Sequence, residues 1–153
     1  PNVALSRNRN RDFVFQRDGE LEELGDTHIS FSPDIIVGNV LTYQPKENVQ
    51  FSVLTKFVGE QYMGNIDSEG SKLDSYSQTD FNVQYEINTN GFFKSIVLSG
   101  LVNNIFDSLY VSNGYFYTFD DDYSVPDTIT TYEGAGYYPQ AGINFLLGAS
   151  ISF

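Results

Sequence analysis

The sequence predicts an all-β chain: an antiparallel, up-and-down sheet of about six strands, forming a segment of a transmembrane β-barrel. Three observations carry this. Apolar residues recur at every second position in several stretches, and nothing reads as a helix longer than a turn. The connections run long, short, long, short, long, which in an up-and-down sheet puts every short turn at one end and every long loop at the other. The last stretch, GINFLLGASISF, alternates to its final residue, Phe153.

The elements follow in order. VALSRNRNRDFVF reads as extended, with Val3 and Leu5 in the same parity as Arg7, Arg9 and Arg11. A long polar loop, Gln16 to Asp34, leads to DIIVGNVLTYQ, whose clearest apolar register is Leu41 and Tyr43. QPKEN (Gln44 to Asn48) carries Pro and Asn as turn chemistry. VQFSVLTKFVGEQY sets Phe51, Val53, Thr55 and Phe57 against Gln50, Ser52, Lys56 and Glu60. After a second long connection, Met63 to Gln78, comes the cleanest alternation, TDFNVQYEIN. There Phe81, Val83, Tyr85 and Ile87 oppose Asp80, Asn82, Gln84, Glu86 and Asn88. NTNGF (Asn88 to Phe92) is the second short turn. KSIVLSGLVNNIF has Ile96, Leu98, Gly100 and Val102 in one register, with Ser99 and Asn103 in the other. The third long connection is Asp107 to Ala141, and the closing strand sets Ile143, Phe145, Leu147, Ala149, Ile151 and Phe153 on one face.

Tyr43, Phe92, Phe93 and Phe153 gather toward the short-turn end, and Phe57, Tyr62, Phe81, Phe106 and Tyr110 toward the long-loop end, as aromatic girdles would. The chain end is then periplasmic and Asp107 to Ala141 extracellular. The formal charge of −12 disfavours nucleic acid as a partner. Cysteine is absent, which excludes disulfides and thiolate metal sites. No apolar run is long enough for a transmembrane helix, and no signal peptide is visible. Transmembrane strands need only about 9–11 alternating residues. The same alternation fits a soluble acidic β-sandwich that binds carbohydrate through loop aromatics, or another outer-membrane barrel such as a porin.

NNIFDSLY resembles the N-[LI]-F-[DN]-x-x-Y segment near the C-terminus of TonB-dependent outer-membrane receptors, through Asn104, Ile105, Phe106, Asp107 and Tyr110. KFVGEQY (Lys56 to Tyr62) is similar to that family's Y-V-G-x-Q-Y strand end, and YYPQAGINFLLGASISF to its closing strand. LSRNR and SPDIIVGNVLTYQP look like the form found in Bacteroidota. The Pro-Gly-Arg that many members carry before the last strand is absent, which leaves the subfamily open. The resemblance implies about six strands of a barrel of roughly 22, whose lumen is closed by a plug. An open six-stranded sheet would leave unpaired backbone edges in lipid. The expectation is therefore a C-terminal segment without its signal peptide, TonB box and plug, placed in the cell outer membrane of a Gram-negative bacterium. The whole receptor would take up a scarce ligand: siderophore, haem, cobalamin, peptide or glycan. Its partners would be outer-membrane lipid and lipopolysaccharide, the rest of the same receptor, the TonB complex through the plug, and the barrel assembly machinery.

Candidate sites follow from the same reading. Tyr115, Phe116 and Tyr117, in an aromatic-rich extracellular loop, are candidates for ligand contact, with loop-on-loop packing as the alternative. Arg7, Arg9 and Arg11 are candidates for lipopolysaccharide phosphate, or for salt bridges in the lumen or loops. Phe145, Leu147, Ile151 and Phe153 resemble the terminal signal read during barrel assembly. Asn82, Gln84, Glu86, Asn103 and Asn144 are expected to line the lumen. Asp120, Asp121 and Asp122 are weak metal candidates, since adjacent carboxylates cannot all converge. His28 reads as a solvated loop residue, because no second histidine or cysteine accompanies it. No nucleophile elbow or phosphate loop is present, so no enzyme activity and no cofactor are expected.

Overall fold

The computed structural model describes residues 1–89 and 91–153. Among these lie β1 (Asn2–Leu5), β2 (Arg9–Arg17), β3 (Glu20–His28), β4 (Ile35–Lys46), β5 (Val49–Val58), β6 (Gln61–Tyr62), β7 (Lys72–Leu73), β8 (Tyr76–Asn88), β9 (Ser95–Asn103), β10 (Val111–Asp121), β11 (Thr130–Pro139) and β12 (Asn144–Ser152). One 3-10 turn, Glu69–Ser71, precedes β7. The chain is all-β, and six strands form one antiparallel sheet in the order β1-β4-β5-β8-β9-β12.

Each of the six alternating stretches contributes one strand, in the up-and-down order. The first contributes less than expected. The sheet keeps only Asn2–Leu5; the chain then leaves it, and Arg9–Arg17 pairs with β3 instead. The break has a local cause. Ser6 N–H bonds Asp34 O (3.0 Å), and Arg9 reaches both Asp34 carboxylate oxygens (3.1 and 2.9 Å). The parity linking Val3 and Leu5 to the arginines is lost at this exit, and Asp12 at φ 48° adds a second irregularity within β2.

Paired residues in an antiparallel ladder project to the same side. The register therefore assembles the alternation into two continuous faces. One carries the rows Leu41–Val53–Phe81–Val102–Phe145, then Tyr43–Phe51–Val83–Gly100–Leu147, then Val49–Tyr85–Leu98–Ala149, then Ile87–Ile96–Ile151. The other carries Gln50–Gln84–Ser99–Gly148 and Thr42–Ser52–Asn82, together with Asp80, Glu86, Asn103 and Asn144. With them lie Val40, Leu54, Val97, Leu101 and Leu146, so this second face is mixed and the polar residues are its larger part. On the apolar face Phe81 to Ile87 covers about 20 Å along the strand. Phe81 itself lies well inside β8 beside Phe51 (6.2 Å between ring centres), not at the rim where a girdle would put it.

Nothing in the described chain covers the apolar face. Leu41 is 64% exposed, Phe145 74% and Leu147 82%. The accessible surface is 10366 Å², against roughly 7,800 Å² for a compact monomer of this mass. Among the described residues the buried apolar side chains are Val58, Met63 and Leu73, and they sit at the long-connection end.

The short-turn end is simple. Glu47 and Asn48 join β4 to β5 after an irregularity at Gln44 and Pro45, where a proline is tolerated within a strand. In the second turn Asn90 lies outside the described residues, while Thr89 N–H bonds Lys94 O (3.1 Å). Phe92, Phe93 and Phe153 form a mutual ring cluster there, with centroids 5.3–5.6 Å apart.

The three long connections are structured, which their polar composition concealed. One holds the β2–β3 hairpin, one the β6–β7 pair with its 3-10 turn, and one the β10–β11 hairpin. They dock on one another. Arg17 bonds Glu133 (2.9 Å), which also accepts from the Ser68 hydroxyl. Asp18 and Thr131 exchange two bonds of 2.7 Å. His28 donates its backbone N–H to Asp67 (2.8 Å) and pairs through Nδ1 with the same carboxylate (2.9 Å), its ring 4.9 Å from that of Tyr62. His28 is thus a half-buried fastener between two connections, not a freely solvated residue.

Candidate functional site

The β10–β11 hairpin pairs Tyr115 with Gly136, Tyr117 with Gly134 and Phe119 with Tyr132, and these residues share one face. Tyr138, opposite Asn113, completes it. Gly134 and Gly136 leave room that the rings use: Tyr117 leans across Gly134 and Tyr115 across Gly136, so a Cβ at either glycine would strike the ring. The outcome is a row of five aromatic side chains. Tyr115 and Tyr117 lie 6.3 Å apart with planes 20° apart, Tyr117 and Phe119 6.4 Å and 23°, and Phe119 and Tyr132 5.5 Å and 22°. Tyr138 joins the other end, 6.1 Å from Tyr115 and tilted by 50°. Exposures of 48–54% across these five residues fit rings with one side against the strands and one in solvent.

The opposite face of the hairpin is occupied. Phe116 packs over Gly64, Gly114 lies against the Met63 sulfur, and the Tyr137 hydroxyl donates to Gly70 O (3.2 Å). So of the three aromatic candidates, Tyr115 and Tyr117 belong to the exposed row, and Phe116 anchors the hairpin from behind. Phe119, Tyr132 and Tyr138 were not singled out from the sequence. The usable signal was the period-2 spacing of Tyr115, Tyr117 and Phe119, together with Gly-Ala-Gly on the facing strand.

At the far end of the hairpin the three aspartates diverge. Asp121 accepts from the backbone N–H of Tyr123 (3.2 Å) and Ser124 (3.0 Å), and the bonds from Ser124 hold its carboxyl below the usual range. Asp120 accepts from the Thr131 hydroxyl (2.7 Å) on the other face. Among the described residues no group of three or more His, Asp or Glu converges as a metal site.

The NNIFDSLY residues form a buckle where β9 leaves the sheet. Asn104 is 2% exposed at φ 51°. Its side-chain amide donates to Ser108 O (2.9 Å) and Ala141 O (3.3 Å), and its oxygen accepts from Ser108 N–H (3.0 Å). Its backbone N–H donates to Asp80 (2.9 Å). Asp107 accepts from Ile143 N–H (2.8 Å), which positions the entry to β12. Tyr110 stacks on Tyr76 (4.4 Å) and donates to Gln78 (2.8 Å), and burial pushes its phenol up. Phe106 is exposed.

Arg7, Arg9 and Arg11 do come together, lining an open cavity of about 400 Å³ with Asp26. Arg9 is committed to Asp34, and Arg11 lies 3.7 Å from Asp26. At the sheet edge Phe145, Leu147 and Ile151 share the apolar face, while Phe153 belongs to the short-turn cluster. The sequence matches no family model, no curated protein and no solved structure.

Proposed function

We propose that this chain forms part of the wall of a TonB-dependent outer-membrane receptor, its apolar face toward acyl chains and its polar face toward the lumen. One observation carries the reading: a continuous apolar band crosses the sheet with nothing in the described chain packed over it. A soluble sandwich would lay a second sheet over that band. Here the remaining strands pack at the long-connection end instead. Strands of 9–13 residues in β4, β5, β8, β9 and β12 suit a bilayer crossing. Lipid would leave no water to satisfy the open edges of β1 and β12, so further strands complete the wall in this reading. The connections lie outside the cell, and the hairpin row meets incoming ligand. The ordered resemblance of the NNIFDSLY, KFVGEQY and closing-strand segments supplies the family.

The chain has no cysteine, so single cysteines at positions 144–152 can carry spin labels with no competing site within it. In the isolated native membrane, labels at 145, 147, 149 and 151 should be accessible to lipid-soluble oxygen. Their neighbours should be accessible to a water-soluble nickel chelate. Uniform accessibility to the chelate would overturn the membrane reading.

A further inference from the structure

We infer that the aromatic row of the β10–β11 hairpin is a docking surface for an extended basic peptide, with arginine or lysine at alternate positions. The inference requires only the hairpin, and holds whether or not the six-stranded sheet lies in a membrane. It rests on three observations.

The first is the chemistry of the row. The outer sides of Tyr138, Tyr115, Tyr117, Phe119 and Tyr132 are open to solvent. The inner sides of Tyr115 and Tyr117 rest over the two facing glycines. Aromatic faces carry the negative lobe of the ring quadrupole and attract guanidinium and ammonium groups.

The second is charge. Residues 95–153 contain no lysine, arginine or histidine, whereas the hairpin and its tip carry Asp120, Asp121, Asp122, Asp127 and Glu133. Arg17, reaching from β2, neutralises Glu133 on the opposite face. Asp121, on the row's own side, is buried and accepts from Tyr123 and Ser124, so the open carboxylates beside the row are those of the tip, Asp122 and Asp127. An anionic ligand would meet this surface with nothing to pair it, and a cationic one is favoured by both the rings and the field.

The third is spacing. The centroid steps of 6.3 and 6.4 Å between Tyr115, Tyr117 and Phe119 are close to the roughly 6.6 Å between alternate side chains of an extended strand. A peptide lying along the hairpin would therefore place successive cations over successive rings.

The test is calorimetric titration of the purified chain in a polyoxyethylene detergent, which carries neither charge nor sugar. The probes are an eight-residue peptide of alternating arginine and serine, a block peptide of the same composition, and a linear glucan hexamer. The alternating peptide should bind most tightly. The variant Tyr115→Leu/Tyr117→Leu keeps every charge and should weaken it roughly five- to thirty-fold, the loss of two exposed cation–π contacts. Tyr132→Leu/Tyr138→Leu, at the two ends of the row, provides a second variant with unchanged backbone contacts and should also weaken binding. Asp122→Asn/Asp127→Asn should weaken binding and flatten its salt dependence. Unchanged affinity in both ring variants would show charge alone at work and overturn the proposal. So would tighter binding of the glucan, or no binding of the alternating peptide at millimolar concentration. Equal affinity for the alternating and block peptides would overturn the extended register.

Discussion

Asn104 offers the sharpest quantitative test. Its side chain is fully enclosed, makes three hydrogen bonds to Ser108 and Ala141, and sits at φ 51°. Asn104→Ala acts in two ways. The left-handed backbone, which asparagine tolerates, costs alanine about 1 kcal/mol. The half-buried Ser108 N–H and C=O lose their partners at about 1 kcal/mol each, while the exposed Ala141 carbonyl turns to water at little cost. The expected loss is about 2–4 kcal/mol. If unfolding is two-state, the melting temperature falls by roughly 5–15 °C for a chain of this length. Asn104→Gly removes the same hydrogen bonds but fits φ 51° without strain, so it should recover about 1 kcal/mol relative to alanine. Asn104→Asp should be worse than alanine, because it turns a carboxylate toward two carbonyl oxygens. Thermal melts followed by far-ultraviolet circular dichroism give the ranking, and amide exchange at Ser108 gives the local answer: protection is lost in the alanine and glycine variants, which offer its N–H no acceptor, and kept in Asn104→Asp, whose carboxylate still accepts it. A loss below about 0.5 kcal/mol in Asn104→Ala, with Ser108 still protected, would refute the buckle as a structural device.

Further tests follow from other parts of the molecule. Gly134→Val should displace the Tyr117 ring, costing about 1–3 kcal/mol and altering the tyrosine signal in near-ultraviolet circular dichroism while the far-ultraviolet spectrum is retained. Leu147→Arg, on the apolar face, should cost about 2–4 kcal/mol of insertion stability if that face meets mid-bilayer lipid, whereas Ser99→Arg, on the polar face, should cost little. The Arg9 hydrogen bond holds the Asp34 carboxyl below its ordinary value. Its stabilisation is therefore fully present above the unfolded carboxylate pKa of about 4, and is lost as pH falls through the lower folded value. Asp34 is half exposed, so the term is under about 1 kcal/mol, and Asp34→Asn should remove that part of the acid sensitivity in pH-dependent melts.

The two faces of the sheet were legible because strand periodicity is a local property: successive side chains point to opposite sides whatever the partner. Phe81 to Ile87 and Phe145 to Ile151 therefore declared their common face, and Gln84, Glu86 and Asn144 the other, before any register was known. Pro45 and Asn48 marked their turn for a similarly local reason. The opening stretch failed as a single strand because its break depends on Arg9 finding Asp34, a contact across 25 positions that no window of sequence contains. The connections were misread as loops for the same reason. Their strands bury one face on one another, through Arg17 with Glu133 across 116 positions and His28 with Asp67 across 39, and so carry polar residues where core alternation would be sought.

By itself, then, the sequence determined an all-β chain with a sheet of six strands, one face apolar and the other richer in polar residues, and short turns confined to one end. Alternation and turn chemistry are set by covalent geometry over a few residues. Only the tertiary structure decided which aromatics form a surface. Tyr115 and Phe116 are neighbours in sequence and both aromatic, yet one lies open over Gly136 and the other packs against Gly64. Hairpin register and docking made that choice, and both depend on free energies summed over residues far apart in the chain.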